Sequence, residues 1–199
     1  MLQKNNIKKA SRRKSILFFS KSCFKVAESI FNYPNKHFHI RGLANETGLS
    51  TTAVKSAIKD LEDYGIVKVE NGEIATMVKA DMESESYAFY KRVFNLYRLE
   101  RWSFIENIRS MFDAQTIVLF GSFARGEDIE ESDIDILAIS EKPRNTAVDE
   151  RVSGFLELME RELNRKVNVH VLPSLKDADP KFKNAVSNGI VLYGYLKVV

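Results

Sequence analysis

Residues 116–140 read TIVLFGSFARGEDIEESDIDILAIS. A short apolar run, Thr116 to Phe120, ends on Gly121-Ser122, a polar and acidic loop follows, and a second apolar run carries Asp133 and Asp135. Side chains alternate faces along a strand, so these two carboxylates point to the same side. At that spacing they repel each other unless a cation lies between them or one is protonated. A hard divalent ion such as Mg²⁺, which prefers oxygen ligands and accompanies phosphates, suits them. Gly121 lets the backbone turn sharply out of the first strand, and Ser122 is expected to cap a helix that begins there. The free N–H groups at such a helix start are a ready site for phosphate oxygens. A phosphate cradle facing a carboxylate pair points to chemistry on a nucleoside triphosphate.

Gly121-Ser122, Gly126 and Asp133-x-Asp135 together resemble the signature of the nucleotidyltransferase superfamily with a DNA polymerase β-like fold, above all its small prokaryotic "minimal" group with a G-S-x-A-R-G…S-D-x-D pattern. The resemblance covers roughly residues 110–195. It implies a small mixed sheet with helices. It also implies two metal ions that align an α-phosphate for in-line attack. Residue by residue, Asp133 and Asp135 take the metal-binding and catalytic role, Ser122 and the amides around Gly121 and Gly126 hold the β- and γ-phosphates, and Arg125 reaches a phosphate as a cation. Relatives often place a third carboxylate in a K-V-D sequence on a neighbouring strand. This chain has Lys166-Val167-Asn168 there, and an amide cannot act as a base. His170, on the same strand face, suits either a substitute for it or a satisfied surface or core histidine.

Composition sets the bounds. With 199 residues, 44% apolar and 29% charged, the chain suits two small globular domains or one larger one. No apolar run approaches the ~20 residues of a membrane span, and Ile16 to Phe19 is too short for a signal peptide. One cysteine, Cys23, excludes an intramolecular disulfide and suits a cytoplasmic location. Three histidines and no cysteine cluster argue against a structural zinc site. Charge is uneven: residues 1–80 hold 14 Lys/Arg against 7 Asp/Glu, and residues 81–199 hold 16 against 20. A basic first part and an acidic second part suggest different partners for each.

Met1 to Lys25 carries eight basic residues and no acid, which suits either an arm along a phosphate backbone or a solvated tail. Phe24 to Tyr33 has a helical stripe at Val26, Ala27, Ile30 and Phe31, ended by Pro34. A short extended stretch spans His37 to Ile40. A second short helix places Leu43, Ala44 and Thr47 on one face and stops at Gly48. Ser50 caps a third helix with Val54, Ala57, Ile58 and Leu61 inward. Ile66 to Val69 and Ile74 to Val78 alternate as strands, joined by a two-residue turn at Asn71-Gly72. This succession, over IRGLANETGLSTTAVKSAIKDLEDYGIV, resembles a winged helix-turn-helix of the kind found in prokaryotic transcription regulators. The resemblance implies DNA binding through the outward residues of the third helix, Thr51, Thr52, Lys55, Ser56 and Lys59. It also implies a homodimer.

Asp81 to Phe112 lacks proline and glycine, and its dense aromatics at helical spacing predict one long helix or two that connect the domains. Beyond Lys142-Pro143, Val148, Val152, Phe155, Leu156, Met159 and Leu163 mark an amphipathic helix. A strand over Val167–Leu172, a helix over Pro180–Asn188 and an apolar segment over Ile190–Tyr195 complete a mixed α/β domain, with its helices on one side of the sheet.

The expected fold is therefore α/β (α+β): a basic arm and winged helix-turn-helix in 1–80, a helical connector in 81–112 and a nucleotidyltransferase domain in 113–199. The expected function is a DNA-binding transcriptional regulator whose second domain binds ATP, or another nucleoside triphosphate, with Mg²⁺. That domain transfers a nucleotidyl group to a protein or small-molecule hydroxyl. The alternative is a non-catalytic regulator that senses a nucleotide. An antitoxin-like adenylyltransferase acting on a partner toxin is a third reading.

Overall fold

A computed structural model describes residues 20–72, 76–141 and 150–197. Among these are eight helices and two small sheets. Most of the basic arm, Ile74, Lys142-Pro143 and Val148 lie outside the described residues.

The first half builds one core. Helix α1 (Lys21–Asn32) starts where the Ser20 side chain accepts from the Cys23 N–H, and it buries Val26, Ala27, Ile30 and Phe31. A short strand β1 (Phe38–His39) leads into α2 (Ile40–Thr47), which Gly48 ends at φ 67°. Ser50 caps α3 (Thr51–Asp63), whose Val54, Ala57, Ile58 and Leu61 face inward. Strands β2 (Val67–Asn71) and β3 (Thr76–Ala80) pair antiparallel, and β1 adds to β3, giving the order β1-β3-β2.

The strand pair differs from the expected hairpin. Its last pair is Asn71 with Thr76, so four residues separate the strands and Asn71-Gly72 is not a two-residue turn. That register sets Val69 opposite Val78 and Val67 opposite Ala80, while Phe38 pairs with Val78 from the other side. Burial of Phe38, Val67, Val78 and Ala80 thus outweighs the local turn preference.

Helix α4 (Glu85–Arg101) runs from the first core, where it contributes Tyr87, Tyr90 and Phe94, to the second, where it contributes Leu99. The chain breaks at Trp102-Ser103, with Ser103 at φ 48°, and resumes as α5 (Phe104–Phe112). The dense aromatic stretch therefore forms two helices, and the second belongs to the second core.

That core surrounds a four-stranded sheet made of β4 (Thr116–Phe120), β5 (Ile134–Ile139), β6 (Val167–Leu172) and β7 (Ile190–Tyr193). The order is β6-β5-β4-β7, with β5 and β6 parallel and the other pairs antiparallel. Helix α6 (Gly121–Arg125) follows β4 directly, α7 (Glu150–Leu163) precedes β6, and α8 (Pro180–Ser187) precedes β7. Ile117, Leu119, Ile134, Ile136 and Ala138 face α5 and α7, where they meet Phe104, Ile108, Met159 and Leu163. The alternate residues Val118, Phe120 and Leu137 form a separate cluster with Val186 and Phe182 of α8. Helices thus cover both faces, not one as expected. The reason is that every residue of β4 is buried, so neither face can be left to water. Each such fully buried aliphatic or aromatic side chain contributes about 1.5–3 kcal/mol relative to exposure.

Candidate nucleotide and metal site

The polar end of the α8-facing side of the sheet carries the acidic pair. Asp135 on β5 pairs in register with Phe120 of β4 on one side and Asn168 of β6 on the other. Asp133 lies just before β5. Asn168 Nδ2 donates to Asp133 Oδ2 at 3.0 Å and to Asp135 Oδ1 at 3.2 Å, so one amide nitrogen spans both carboxylates. The two acids do share a side, and the partially positive NH₂ group offsets their mutual repulsion. Asn168 thus occupies the place expected of a third carboxylate. His170 is exposed on the same strand, where its ring meets Phe120 at 5.8 Å and Phe182 at 5.2 Å between centroids. Its partners are rings, not the carboxylates.

Gly121 sits at φ 78°, and a Cβ there would stand 2.6 Å from Asp135 Oδ2. The positive φ favours glycine here, and its missing side chain leaves the carboxylate in place beside the turn. The serine beside it does not behave as expected. Phe120 is the N-cap of α6 with no side-chain bond, and Ser122 is already inside the helix. The helix starts one residue early because Gly121 itself adopts the turn, leaving the half-buried Ser122 hydroxyl without a capping duty. The glycine six residues into the motif also has a structural role. At Gly126 (φ 73°) a Cβ would strike the Ala88 carbonyl and the Arg92 N–H of α4, so its missing side chain serves packing between the motif loop and α4. Arg125 is exposed and forms an ion pair with Glu127 at 2.7 Å.

The donor set can be tested against a metal. Asp133 and Asp135 converge on a common point, and a half-turn of the Asn168 amide would present Oδ1 in place of Nδ2. Two carboxylates and an amide oxygen suit one Mg²⁺, which keeps further positions for water and phosphate. They do not suit a second ion. Among the described residues, no group of three or more His, Cys, Asp or Glu side chains is arranged to hold one.

A second polar cluster was not legible in advance. Lys91 of α4 is fully buried, and its Nζ donates to the carbonyls of Phe31 (2.9 Å) and Asp128 (2.5 Å) and lies 3.2 Å from Asp128 Oδ2. Asn95 Nδ2 donates to Asp128 Oδ1 and to the Phe123 carbonyl. Arg165 donates to the Asn32 carbonyl and lies 3.7 Å from Asp128. Burial, more than the opposing pull of Asp128, pushes the Lys91 amine down to about 8. Asp128 belongs to the motif loop, while Phe31 and Asn32 end α1, so the cluster fastens the loop to the first half. Glu130 reinforces this by accepting from the backbone N–H and Nδ2 of Asn35. The available signal was position: Lys91 lies four residues after Tyr87 and three before Phe94, on the apolar stripe of α4.

On the first half, Thr51, Thr52, Lys55, Ser56 and Lys59 are all exposed on the outer face of α3. Among the described residues, no helix is long and apolar enough to cross a membrane.

Comparison with known proteins agrees with the geometry of the second half. Residues 103–193 match the family described as the nucleotidyltransferase domain, a range that opens at the break before α5. A protein of Methanocaldococcus jannaschii carrying the name "putative protein adenylyltransferase" is 30% identical over 84 residues, 42% of this chain and 81% of that protein. No solved structure matches the chain at a comparable level.

Proposed function

Because the chain belongs to the nucleotidyltransferase domain family, we propose that its second half binds ATP with Mg²⁺ and transfers the adenylyl group to a protein hydroxyl. The observation that carries this reading is the convergence of Asp133 and Asp135 on one point beside the Gly121 turn. In this account Asp133 and Asp135 hold the ion, with the Asn168 amide oxygen as a neutral third donor. Bound there, Mg²⁺ would draw charge from the phosphate oxygens and so favour attack at the α-phosphorus. The N–H groups at the start of α6 and the Ser122 hydroxyl face the phosphates. Arg125 joins them when it leaves Glu127. The name carried by the Methanocaldococcus relative supports a protein acceptor.

The first half, in the same proposal, is a winged helix-turn-helix whose α3 presents Thr51, Thr52, Lys55, Ser56 and Lys59 to DNA. The order of three helices and an antiparallel three-stranded sheet supports this, as does the exposure of those five residues. The chain then divides into 1–80, 81–112 and 113–199, and it acts in the cytoplasm as a homodimeric transcriptional regulator that responds to a nucleotide.

A second reading is favoured by Asn168. An amide in place of a carboxylate supplies no base and one negative charge fewer, which suits nucleotide binding without turnover. One experiment separates the two. Incubation with labelled ATP and Mg²⁺ in lysate should label an acceptor, and Asp135→Asn should remove the label. ATP binding without any labelled acceptor would leave only the sensing role. For the first half, mobility of the DNA upstream of its own reading frame should shift. Lys55→Ala, Lys59→Ala and added salt should each weaken that shift.

A further inference from the structure

We propose that His170 holds the nucleobase: its exposed ring, supported by Phe120 and Phe182, stacks on the planar base of the nucleoside triphosphate whose α-phosphate meets Asp133 and Asp135. This rests on the nucleotide-binding reading above and names the residue at the other end of the ligand.

Register puts the ring on the same side of the sheet as the carboxylates. Asp135 lies between Phe120 and Asn168, and two residues further along β5, Leu137 lies opposite His170. Residues in register on neighbouring strands share a face, as do residues two apart along one strand. His170 therefore shares the face of Asp135 and Asn168, about 6.6 Å along β6 from the latter. The ribose that separates a base from its α-phosphate spans a comparable length. Direction agrees with distance. The order β6-β5-β4 sets the Gly121 turn and the start of α6 on one side of Asp135, and β6 on the other. With the β- and γ-phosphates at α6, the nucleoside leaves the α-phosphate toward β6.

The ring is both available and held. His170 is exposed, whereas Phe120 is buried and Phe182 half-buried. The imidazole meets Phe120 at an interplanar angle of 47° and Phe182 at 66°, so neither contact is a parallel stack. The two phenylalanines meet each other edge-on at 5.4 Å, which closes a cluster of three rings over β5. Helix α8 is itself fixed at both ends. Asp179 accepts from the Phe182 N–H at its start, and Val186 is buried with Val118 and Leu137 near its end. A side chain already ordered by such packing loses little freedom when a ligand covers it.

Stacking is indifferent to the identity of the base, because every base has a π-face. Such a ring distinguishes a nucleoside triphosphate from bare polyphosphate, and does not select one base over another. Losing one stacking contact lowers affinity by about tenfold.

The test is calorimetric titration of ATP, and separately of inorganic tripolyphosphate, each with Mg²⁺, into the full chain and its His170→Ala and His170→Phe variants. The expected result is an ATP Kd about tenfold weaker in His170→Ala and within about twofold of the unmodified chain in His170→Phe, with the tripolyphosphate Kd unchanged in both. Three results would overturn the proposal and leave the nucleotide reading standing. ATP affinity in His170→Ala could equal that of the unmodified chain, in which case the ring does not touch the base. Tripolyphosphate affinity could fall as far as ATP affinity, in which case His170 only supports the carboxylates. ATP affinity could fall equally in both variants, in which case the imidazole nitrogens, and not the ring face, make the contact. Failure of the unmodified chain to bind either ligand with Mg²⁺ would overturn the nucleotide reading together with the proposal.

Discussion

Three aspartates stand within eight residues of the motif loop, and the protein uses them in opposite ways. Asp128 is buried and surrounded by Lys91, Asn95 and Arg165. Asp133 and Asp135 are half-buried, and the partner they share is one amide nitrogen of Asn168. The first is a fastening, in which charge is matched by cations that the fold itself supplies. The second pair is left with a neutral partner, so its charge is available to a cation from outside. The number of carboxylates says little about role. Whether the fold has already matched their charge says much more.

The largest effect is expected at the fastening. Lys91→Met leaves Asp128 buried with a more distant Arg165 as its counter-charge, and chemical denaturation should show a loss of about 3–5 kcal/mol. Asp135→Asn should by contrast leave stability nearly unchanged. Equal losses at the two sites would erase the distinction. Next comes Gly126→Ala, which forces a side chain into left-handed backbone and against the Ala88 carbonyl. It should destabilise by more than about 2 kcal/mol.

Asn168→Asp is the sharper probe of the functional pair, because it replaces the bridging donor by a third carboxylate. Without metal the variant should lose about 1 kcal/mol through like-charge repulsion. Added Mg²⁺ should raise its Tm more than that of the unmodified chain. No added Mg²⁺ response would mean that these side chains do not converge on an ion.

The fastening also carries a pH dependence. The folded Lys91 amine titrates near 8, below its ordinary value of 10.5. Between those values the unfolded chain binds more protons than the folded one, so this group's contribution to stability rises with pH. It is fully present above 10.5 and is lost as pH falls through about 8. The difference in unfolding free energy between the unmodified chain and Lys91→Met should carry that slope.

Much of this architecture was legible because periodicity is a long-range statistic of burial. Val26, Ala27, Ile30 and Phe31 announce α1, Val54 to Leu61 announce α3, and the limits of β6 follow from Val167 and Leu172. The acidic pair was legible because alternation along a strand fixes the side on which Asp133 and Asp135 emerge. What escaped depends on neighbours distant in sequence. Gly126 resembles a phosphate-loop glycine but is needed because α4 passes over it. Ser122 resembles a cap, yet the turn at Gly121 starts the helix before it. Asn71-Gly72 resembles a tight turn, but Phe38 and Val78 set the register. The cover of α8 on the second sheet face depends on Val118 and Phe120 being as buried as their neighbours, which the short run TIVLF leaves open.

The central claim is that Asp133 and Asp135 form a site for a nucleotide and its metal. Calorimetric titration of ATP with Mg²⁺ into the unmodified chain and into Asp135→Asn tests it directly. The account predicts saturable binding in the former that requires Mg²⁺ and a loss of at least about tenfold in the latter. Binding of equal strength in both proteins, or binding indifferent to chelation of Mg²⁺, would contradict it.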